Sequence, residues 1–311
     1  MKKISVIVPM YCEEKIIDEC YNRLTNVLSN IPNYDYEIIC VNDGSKDKTL
    51  EMLTEISEKD TKLKIISFSR NFGHQPAVTA GLKFVTGDAI VIIDSDLQDP
   101  PEEIPKMLKL WEDGNDVIYG KRKKRKGESA FKLMTAKVFY NMLNALSETD
   151  IPKDTGDFRL VDRRVVDTIN VLPEHNKFLR GLFSWVGYKQ VAYEYERNER
   201  FAGKTKYPLS KMLKLAGDGI LSFSTKPLKL VGVLGGFSIL ISFAILIYSI
   251  LSFVFKWNQL TPGWTSIMLT VTFFSGIQLL SIWIISEYIA RIYDESRDRP
   301  QYIIDKTINI D

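Results

Sequence analysis

The stretch of sequence that decides the fold is AIVIIDSDLQDPPE, residues 89–102. Its first five residues are apolar, and most of those that follow are acidic, amide-bearing or proline. An apolar run of this length is typical of a strand that is buried on both faces and ends at a polar edge. Three similar runs precede it, at residues 4–9, 37–41 and 63–68. The sequence therefore predicts four buried strands in its N-terminal part.

Helical stretches separate these strands. They are expected at residues 15–29, 48–59, 75–84 and 101–111, the last after a proline-rich start. Strands that alternate with helices predict an α/β fold with a doubly wound, mostly parallel sheet that extends to about residue 190. Because ligands of such sheets bind at the carboxyl ends of the strands, the polar residues at those ends are the candidates for a functional site.

The first two strand ends carry an aromatic ring and a carboxylate. Tyr11 follows the first strand in the string PMYCEE, and Asp43 follows the second in VNDGSKDKT. A ring and a carboxylate on neighbouring strands are suited to stacking on a nucleotide base and accepting hydrogen bonds from it. The Asp-Gly-Ser sequence is equally typical of a turn before a helix, with Ser45 or Asp47 as the cap. The chain contains neither GxGxxG nor GxxxxGK[ST], which argues against a dinucleotide cofactor and P-loop chemistry.

The fourth strand end carries two carboxylates, Asp94 and Asp96, at alternate positions. Side chains placed in this way are expected to converge above the sheet, where hard oxygen ligands bind Mg²⁺ or Mn²⁺. Such an ion also binds the oxygens of a diphosphate and would neutralise a departing one. The alternative is a local turn in which an aspartate side chain accepts backbone hydrogen bonds.

The composition excludes other classes of protein. The chain has 41 basic and 39 acidic residues, a net charge of 41 − 39 = +2, so nucleic acid is not an expected partner. Its three cysteines form no CxxC pair, and it has two histidines. Neither a disulfide framework nor a zinc site is therefore expected.

Two long uncharged runs occupy residues 230–255 and 257–286. About 20 apolar residues of helix cross a bilayer core, so the sequence predicts two transmembrane helices, at about 230–255 and 264–286. The first eleven residues are not expected to be a signal peptide, because their apolar run is short. Basic residues flank the helical pair, while the connection between the helices has a single lysine, so both termini are expected in the cytoplasm. The flanking basic residues are Lys226, Lys229, Arg291, Arg297 and Arg299.

Taken together, these strings resemble glycosyltransferase family 2, whose members have the GT-A fold, and within it the polyprenyl-phosphate (dolichyl-phosphate-like) hexosyltransferases. The resemblance covers nearly the whole chain, and the two C-terminal helices resemble the branch that includes the bactoprenol glucosyltransferases. Cys12 departs from the asparagine that is usual in VPxYNEE. The motifs are VPMYCEE (8–14), VNDGSKDKT (41–49), SRNFGHQPAVTAG (69–81), DSDLQDPPE (94–102), YGKRKKRKGES (119–129), TGDFRLVDRR (155–164) and RFAGKTKY (200–207).

The resemblance implies roles for individual residues. The implied catalytic residues are Asp96, Asp157 and Arg200. Asp157 is either a base or a positioning residue, or it merely fixes Arg159 or an adjacent helix. The metal ligands are Asp94, Asp96 and Gln98. The nucleotide-sugar site comprises Pro9, Tyr11, Glu13, Val41, Asp43, Asp94, Ser95 and Gln98. The residues for the acceptor phosphate are Arg122, Arg200, Lys204 and Lys206.

The resemblance also implies an activity. The expected reaction is the inverting, Mg²⁺- or Mn²⁺-dependent transfer of a hexose, with UDP-glucose as donor, to a polyprenyl phosphate such as undecaprenyl phosphate at the cytoplasmic face of the plasma membrane. The alternatives are the same reaction with GDP-mannose, a UDP-N-acetylhexosamine or a UDP-aminopentose, and a non-catalytic membrane scaffold, which would be expected to lose Asp94 and Asp96. A processive polysaccharide synthase is not favoured, because the chain lacks QxxRW.

The expected organisation has four parts. A GT-A domain covers residues 1–207, and an amphipathic juxtamembrane segment follows at 208–227. The helical pair occupies 228–290, and a cytoplasmic tail covers 291–311. A homo-oligomer, either a dimer or a tetramer, is expected from the resemblance and from the GxxxG spacing at the start of the first long helix.

Overall fold

A computed structural model of the chain describes residues 1–122, 155–174, 177–196, 226–255 and 263–310. The strands are β1 (Lys2–Met10), β2 (Tyr34–Asn42), β3 (Leu63–Phe68), β4 (Ala89–Ile92), β5 (Val117–Arg122), β6 (Thr155–Asp162), β7 (Gln190–Tyr195) and β8 (Ile304–Ile308). The helices are α1 (Ile17–Ser29), α2 (Thr49–Ser57), α3 (His74–Phe84), α4 (Ile104–Glu112), α5 (Arg163–Val171), α6 (Leu179–Trp185), α7 (Lys226–Phe255) and α8 (Trp264–Ser296). A short 3₁₀ helix, Pro101–Glu103, precedes α4.

The strands form one sheet in the order β7-β5-β6-β4-β1-β2-β3-β8. The central strands β4, β1, β2 and β3 are parallel, while β6 and β8 run antiparallel to their neighbours. The predicted α/β fold with a mostly parallel sheet is therefore confirmed. The four expected strands and their intervening helices are present, with ends that differ by a few residues.

The core has two layers, one on each face of the sheet. Alternate residues of β1 point to opposite layers, so that Val6 packs in one and Ile7 in the other. Helices α1, α2 and α4 cover the first layer, and α3, α5 and α6 cover the second. The two-sided burial explains why β1 is apolar along most of its length.

The last described strand, β8, lies in the part of the sequence that was expected to be a cytoplasmic tail. It pairs antiparallel with β3, where Ile308 is opposite Ile65 and Ile304 is opposite Phe68. The helix before it, α8, extends to Ser296, beyond the expected end of the membrane span at residue 286. The chain thus returns to the N-terminal sheet after its long helices.

Helices α7 and α8 expose large apolar side chains. These include Val233, Phe237, Leu240, Phe243, Ile267, Val271, Leu279, Ile282, Trp283 and Ile289. Among the described residues, the segment Phe273–Ser296 is long and apolar enough to cross a membrane, with a mean hydropathy of 1.4 over its most apolar stretch. None of that stretch is buried inside the protein, whereas the core helix of a soluble domain is mostly buried.

Candidate active site

The carboxyl ends of β1, β2 and β4 meet at one edge of the sheet. Pro9 is in register with Val41, and Ile7 is in register with both Ile39 and Ile92. The loops that follow these three strands are therefore neighbours, as the parallel arrangement predicts. They carry half of the residues that the sequence nominated, which are Tyr11, Glu13, Asp43, Asp94, Ser95, Asp96 and Gln98.

Hydrogen bonds join the loop after β1 to the loop after β2. The backbone N–H groups of Cys12 and Glu13 donate to Ser45 Oγ and Thr49 Oγ1, each at 2.9 Å. Asp47 precedes α2 and accepts a hydrogen bond from Thr49 N at 3.1 Å, while Lys48 is the N-cap residue and has no side-chain cap. The turn interpretation therefore holds for this segment, but neither Ser45 nor Asp47 is the N-cap residue of α2. The same turn supports the loop that carries Tyr11.

Asp43 is buried and organises a third loop, residues 69–73. Its carboxylate accepts hydrogen bonds from Phe72 N at 2.6 Å, from Gly73 N at 2.9 Å and from Asn71 Nδ2 at 2.8 Å. Burial raises the pKa of Asp43, while the two backbone donors oppose the rise. Asp43 therefore holds the loop that leads from β3 into α3.

Gly44 allows this loop to approach. Its φ is +62°, and a Cβ atom at this position would lie 2.3 Å from the backbone carbonyl carbon of Arg70. Both the left-handed conformation and the contact exclude a larger residue without a backbone shift. The glycine of the Asp-Gly-Ser turn is thus required by the neighbouring loop.

Asp94 lies beside His74, which is the first residue of α3. His74 Nε2 is 3.1 Å from Asp157 Oδ2 and 3.8 Å from Asp94 Oδ1. Burial disfavours the imidazolium, but the hydrogen bond to Asp157 and the charges of Asp94 and Asp157 outweigh burial and raise the pKa of His74 to about 9. Burial and the nearby carboxylates of Asp157, Asp99 and Asp96 raise the pKa of Asp94 to about 6 against the effect of His74.

Arg180 binds Asp157 in a bidentate pair. Its Nε donates to Asp157 Oδ1 at 2.7 Å, and its Nη2 donates to Oδ2 at 2.9 Å. Burial alone would raise the pKa of Asp157, but Arg180 and His74 together hold it well below its usual value. Asp157 is therefore a carboxylate anion with cationic partners on both oxygens. Neither His74 nor Arg180 was among the predicted site residues.

The remaining nominated residues differ in placement. Ser95 is buried between the two aspartates, and Asp96 Oδ1 accepts a hydrogen bond from Gln98 N at 3.1 Å, as the local-turn alternative predicted. Val41 is fully buried in the core, so its side chain does not line the site. Arg122 is the last residue of β5. Arg200, Lys204, Lys206 and residues 208–225 of the amphipathic segment 208–227 lie outside the described residues.

A cavity of about 480 Å³ opens beside this edge, near the end of β7. Glu103, Glu194 and Glu196 line it together with Lys106. Three carboxylates against one ammonium group make this cavity unsuitable for a phosphate.

A mostly parallel sheet with aspartates at the carboxyl ends of its central strands is the arrangement that a transferase of the GT-A type is expected to have. The chain belongs to glycosyltransferase family 2, since the family model described as "Glycosyl transferase family 2" matches residues 5–169. The family expected from the sequence is thereby confirmed.

Relatives match along nearly the whole chain. The Bacillus subtilis (strain 168) protein YkcC, named as an uncharacterized glycosyltransferase, is 52% identical over 99% of this chain and 94% of its own length. The bactoprenol glucosyl transferase of Shigella phage SfX is 40% identical over 97% of this chain and 98% of its own length. Among solved structures, the glucosyl-3-phosphoglycerate synthase from Mycobacterium tuberculosis has a TM-score of 0.47 at 19% identity and covers 71% of this chain and 78% of its own.

Proposed function

We propose that this protein transfers a hexose from a nucleotide sugar to the phosphate of a polyprenyl lipid at the cytoplasmic face of the plasma membrane. UDP-glucose is the proposed donor, undecaprenyl phosphate is the proposed acceptor, and the configuration of the anomeric carbon is inverted. The observation that carries the proposal is the cluster of Asp94, His74, Asp157 and Arg180 at the carboxyl edge of the sheet, beside the loop held by Asp43. A relative that covers nearly the whole chain is named for the transfer of glucose to bactoprenol.

The carboxylate oxygens at this edge of the sheet fit a divalent cation. Asp94 and Asp96 provide hard carboxylate oxygens, and the charges of Asp99 and Asp157 add to the negative potential around Asp94. Among the described residues, no three His, Cys, Asp or Glu side chains are grouped as a complete metal site. This suits Mg²⁺ or Mn²⁺ at a nucleotide site, because such ions take only one or two carboxylates from the protein and the remaining ligands from phosphate and water. When bound, the cation would offset the negative charge on the departing diphosphate.

The acceptor needs little help from a base. The second pKa of a phosphate monoester is about 6, so a lipid phosphate is already a dianion for most of the time at neutral pH. The bidentate pair with Arg180 agrees with this chemistry, because a carboxylate held by two cations is a poor proton acceptor. We therefore assign Asp157 a positioning role, in which it orients Arg180 and His74 toward the site around Asp94.

The return of the chain to the sheet supports two membrane crossings. The catalytic domain precedes α7, and β8 after α8 belongs to the same sheet. A chain that leaves a domain and returns to it on the same side of a bilayer crosses that bilayer an even number of times. If α8 crosses, α7 is the proposed second crossing, because its residues 230–255 carry no charge and its two lysines, Lys226 and Lys229, lie at its start.

The reaction itself tests the proposal. The purified full-length protein is incubated with Mg²⁺ or Mn²⁺, undecaprenyl phosphate and, in separate reactions, UDP-glucose, GDP-mannose, a UDP-N-acetylhexosamine and a UDP-aminopentose. The expected result is a glucosyl lipid with β configuration. Transfer of another sugar would correct the donor, and failure of all donors to give a lipid-linked product would contradict the proposed function.

The metal contribution is tested at Asp96. Asp96→Ala removes a proposed ligand, so we expect turnover to fall by at least ~10²-fold, as for the loss of a major electrostatic contribution to the transition state. The control is Asp167→Ala, because Asp167 is exposed on α5. Wild-type turnover that persists in excess EDTA would contradict the metal role.

A further inference from the structure

The segment that follows the membrane-proximal end of α8, residues 301–310, is bound to the catalytic domain along its length, and we call it the C-terminal strap. Gln301 Nε2 donates to the carbonyl of Glu174 at 2.7 Å. At the far end, Asn309 Nδ2 donates to the carbonyls of Ser57 and Leu63, each at 2.9 Å. Between them, β8 completes the edge of the sheet.

The first residues of the strap contact the start of the loop 69–73. The ring of Tyr302 stacks on Phe68 with the centroids 4.9 Å apart and the planes 11° apart. Phe68 in turn contacts the ring of Phe72 edge-on at 5.7 Å. Ser69 N donates to the carbonyl of Ile303 at 3.1 Å. The strap thus fixes the point where β3 ends and the loop begins.

This loop carries the groups that order the site. The N–H groups of Phe72 and Gly73 bind Asp43, and His74 follows directly with its contacts to Asp157 and Asp94. One row of rings, Tyr302, Phe68 and Phe72, therefore joins the strap to the residues around Asp43. Burial raises the pKa of Tyr302 to about 12, as expected for a ring enclosed in this packing.

We propose that the C-terminal strap positions the donor site: Tyr302, through Phe68 and Phe72, holds the loop 69–73 in the conformation that binds the nucleotide sugar. The strap directly follows α8 in the chain. The conformation of the proposed donor site therefore depends on a segment that is continuous with the proposed membrane helix. Tyr302 is a positioning residue in this account. The proposal rests on the proposed function for the identity of the ligand.

The test compares three variants of the full-length protein in detergent or lipid nanodiscs. Tyr302→Ala removes the stacked ring, Tyr302→Phe keeps it, and Ile308→Ala weakens β8 at its other end, opposite Ile65. The ligand probe is UDP with Mn²⁺, measured by calorimetry, and each variant is also examined for thermal stability. We expect Tyr302→Ala to weaken UDP binding by about five- to tenfold and to raise the KM for the nucleotide sugar more than it lowers kcat. We expect Tyr302→Phe and Ile308→Ala to bind within about twofold of the wild type.

A second readout does not depend on the identity of the ligand. Amide hydrogen exchange at Phe72 and Gly73 in the nucleotide-free protein should be about tenfold faster in Tyr302→Ala than in Ile308→Ala, because local opening of the loop is easier without the ring. Equal exchange in the two variants, or equal loss of UDP affinity, would overturn the strap proposal. If the wild type binds no UDP while the exchange difference is present, the proposed donor is wrong and the coupling between strap and loop stands.

Discussion

Asp157 shows how much the role of a single side chain depends on its packing partners. The sequence placed it in the motif TGDFRL as a base or a positioning residue, and the structure gives it two cationic partners, Arg180 and His74. The adjacent Arg159, which the sequence offered as an alternative partner, donates to the backbone carbonyls of Asp157 and Gly156 and lies over the ring of Phe183. The bidentate pair with Arg180 fixes the orientation of both groups, which supports the proposed positioning role of Asp157.

The role of Asp157 gives a prediction for Arg180. If Asp157 acts by orienting Arg180, replacing the planar guanidinium by an ammonium group in Arg180→Lys should lower kcat at least ~10-fold, because the bidentate geometry is lost although the charge is kept. Asp157→Asn should have a comparable effect, and the double variant should be little worse than either single one. A base role for Asp157 would instead leave Arg180→Lys active and make Asp157→Asn alone severely defective. Initial rates with saturating donor and acceptor measure both outcomes.

Cys12 offers a chemical probe of the proposed donor site. It is partly exposed, while Cys20 and Cys40 are buried, and burial raises the pKa of Cys20 to about 12 and that of Cys40 well above its usual value. Thiolates are the reactive form, so a maleimide should label the folded protein at Cys12. We expect UDP with Mn²⁺ to slow this labelling in the wild type and to do so less in Asp43→Ala. Labelling that UDP does not affect would place the nucleotide elsewhere.

The backbone gives a reason for the asparagine that is usual at the position of Cys12 in the motif VPxYNEE. Its φ of +54° is in the left-handed region, which asparagine enters more easily than other residues with a side chain. The sequence showed the departure from the motif, whereas the reason for the usual residue is a backbone angle that only the fold reveals.

At the scale of elements, the first four strands were predictable and the last was not. β1 to β4 are buried on both faces and therefore apolar in long runs. β8 is an edge strand with the sequence IDKTI, of which Asp305, Lys306 and Thr307 are exposed. Five residues with such a pattern are ordinary for a surface tail. His74 and Arg180 were missed for a similar reason, because their partners are distant in the sequence and are brought together only by packing.

The edge of the sheet opposite the site is held by a buried carboxylate. Glu37 on β2 accepts hydrogen bonds from Ser5 Oγ at 2.6 Å, Thr86 N at 2.7 Å and Lys3 Nζ at 2.8 Å, and it lies 2.8 Å from Lys64 Nζ. Burial alone would raise the pKa of Glu37, but these partners outweigh it and lower the pKa from 4.5 to about 2. The anion therefore ties β1, β2, β3 and the turn before β4 together.

This network predicts an acid-dependent loss of stability. Because the folded pKa is below the unfolded one, the contribution of Glu37 is complete above about pH 4.5 and declines as the pH falls toward 2. Glu37→Gln should lower the free energy of unfolding by roughly 2–4 kcal/mol at pH 7. This difference from the wild type should become smaller at acidic pH. The exposed pair between Asp35 and Lys62 provides the control, since Asp35→Asn should cost less than ~1 kcal/mol. Unfolding midpoints measured at several pH values test this prediction. A difference between Glu37→Gln and the wild type that is independent of pH would contradict the assignment of a lowered pKa to Glu37.

At the scale of the whole molecule, the placement of β8 and the basic flanks make a prediction about topology. In a Cys12→Ser background, a cysteine introduced at Asn258 should react with an impermeant maleimide added to intact cells. A cysteine at Asp305, which is exposed on β8, should react only after the cells are permeabilised. Both sites should label in permeabilised cells, which controls for expression. Labelling of the Asp305 position from outside would show that the catalytic domain does not face the cytoplasm.

The pairing of β3 with β8 also sets the order of events during synthesis. β3 ends at residue 68 and its partner begins at residue 304, so the ribosome makes both long apolar helices before the strand that covers this edge. Until then the nascent domain presents an unpaired strand edge, which is a site for aggregation or for chaperone capture. A chain in which α7 and α8 are not yet in place cannot pair β8 with β3, so the edge of β3 stays exposed until both helices are made. The sheet is therefore completed last, by the residues that follow the long helices.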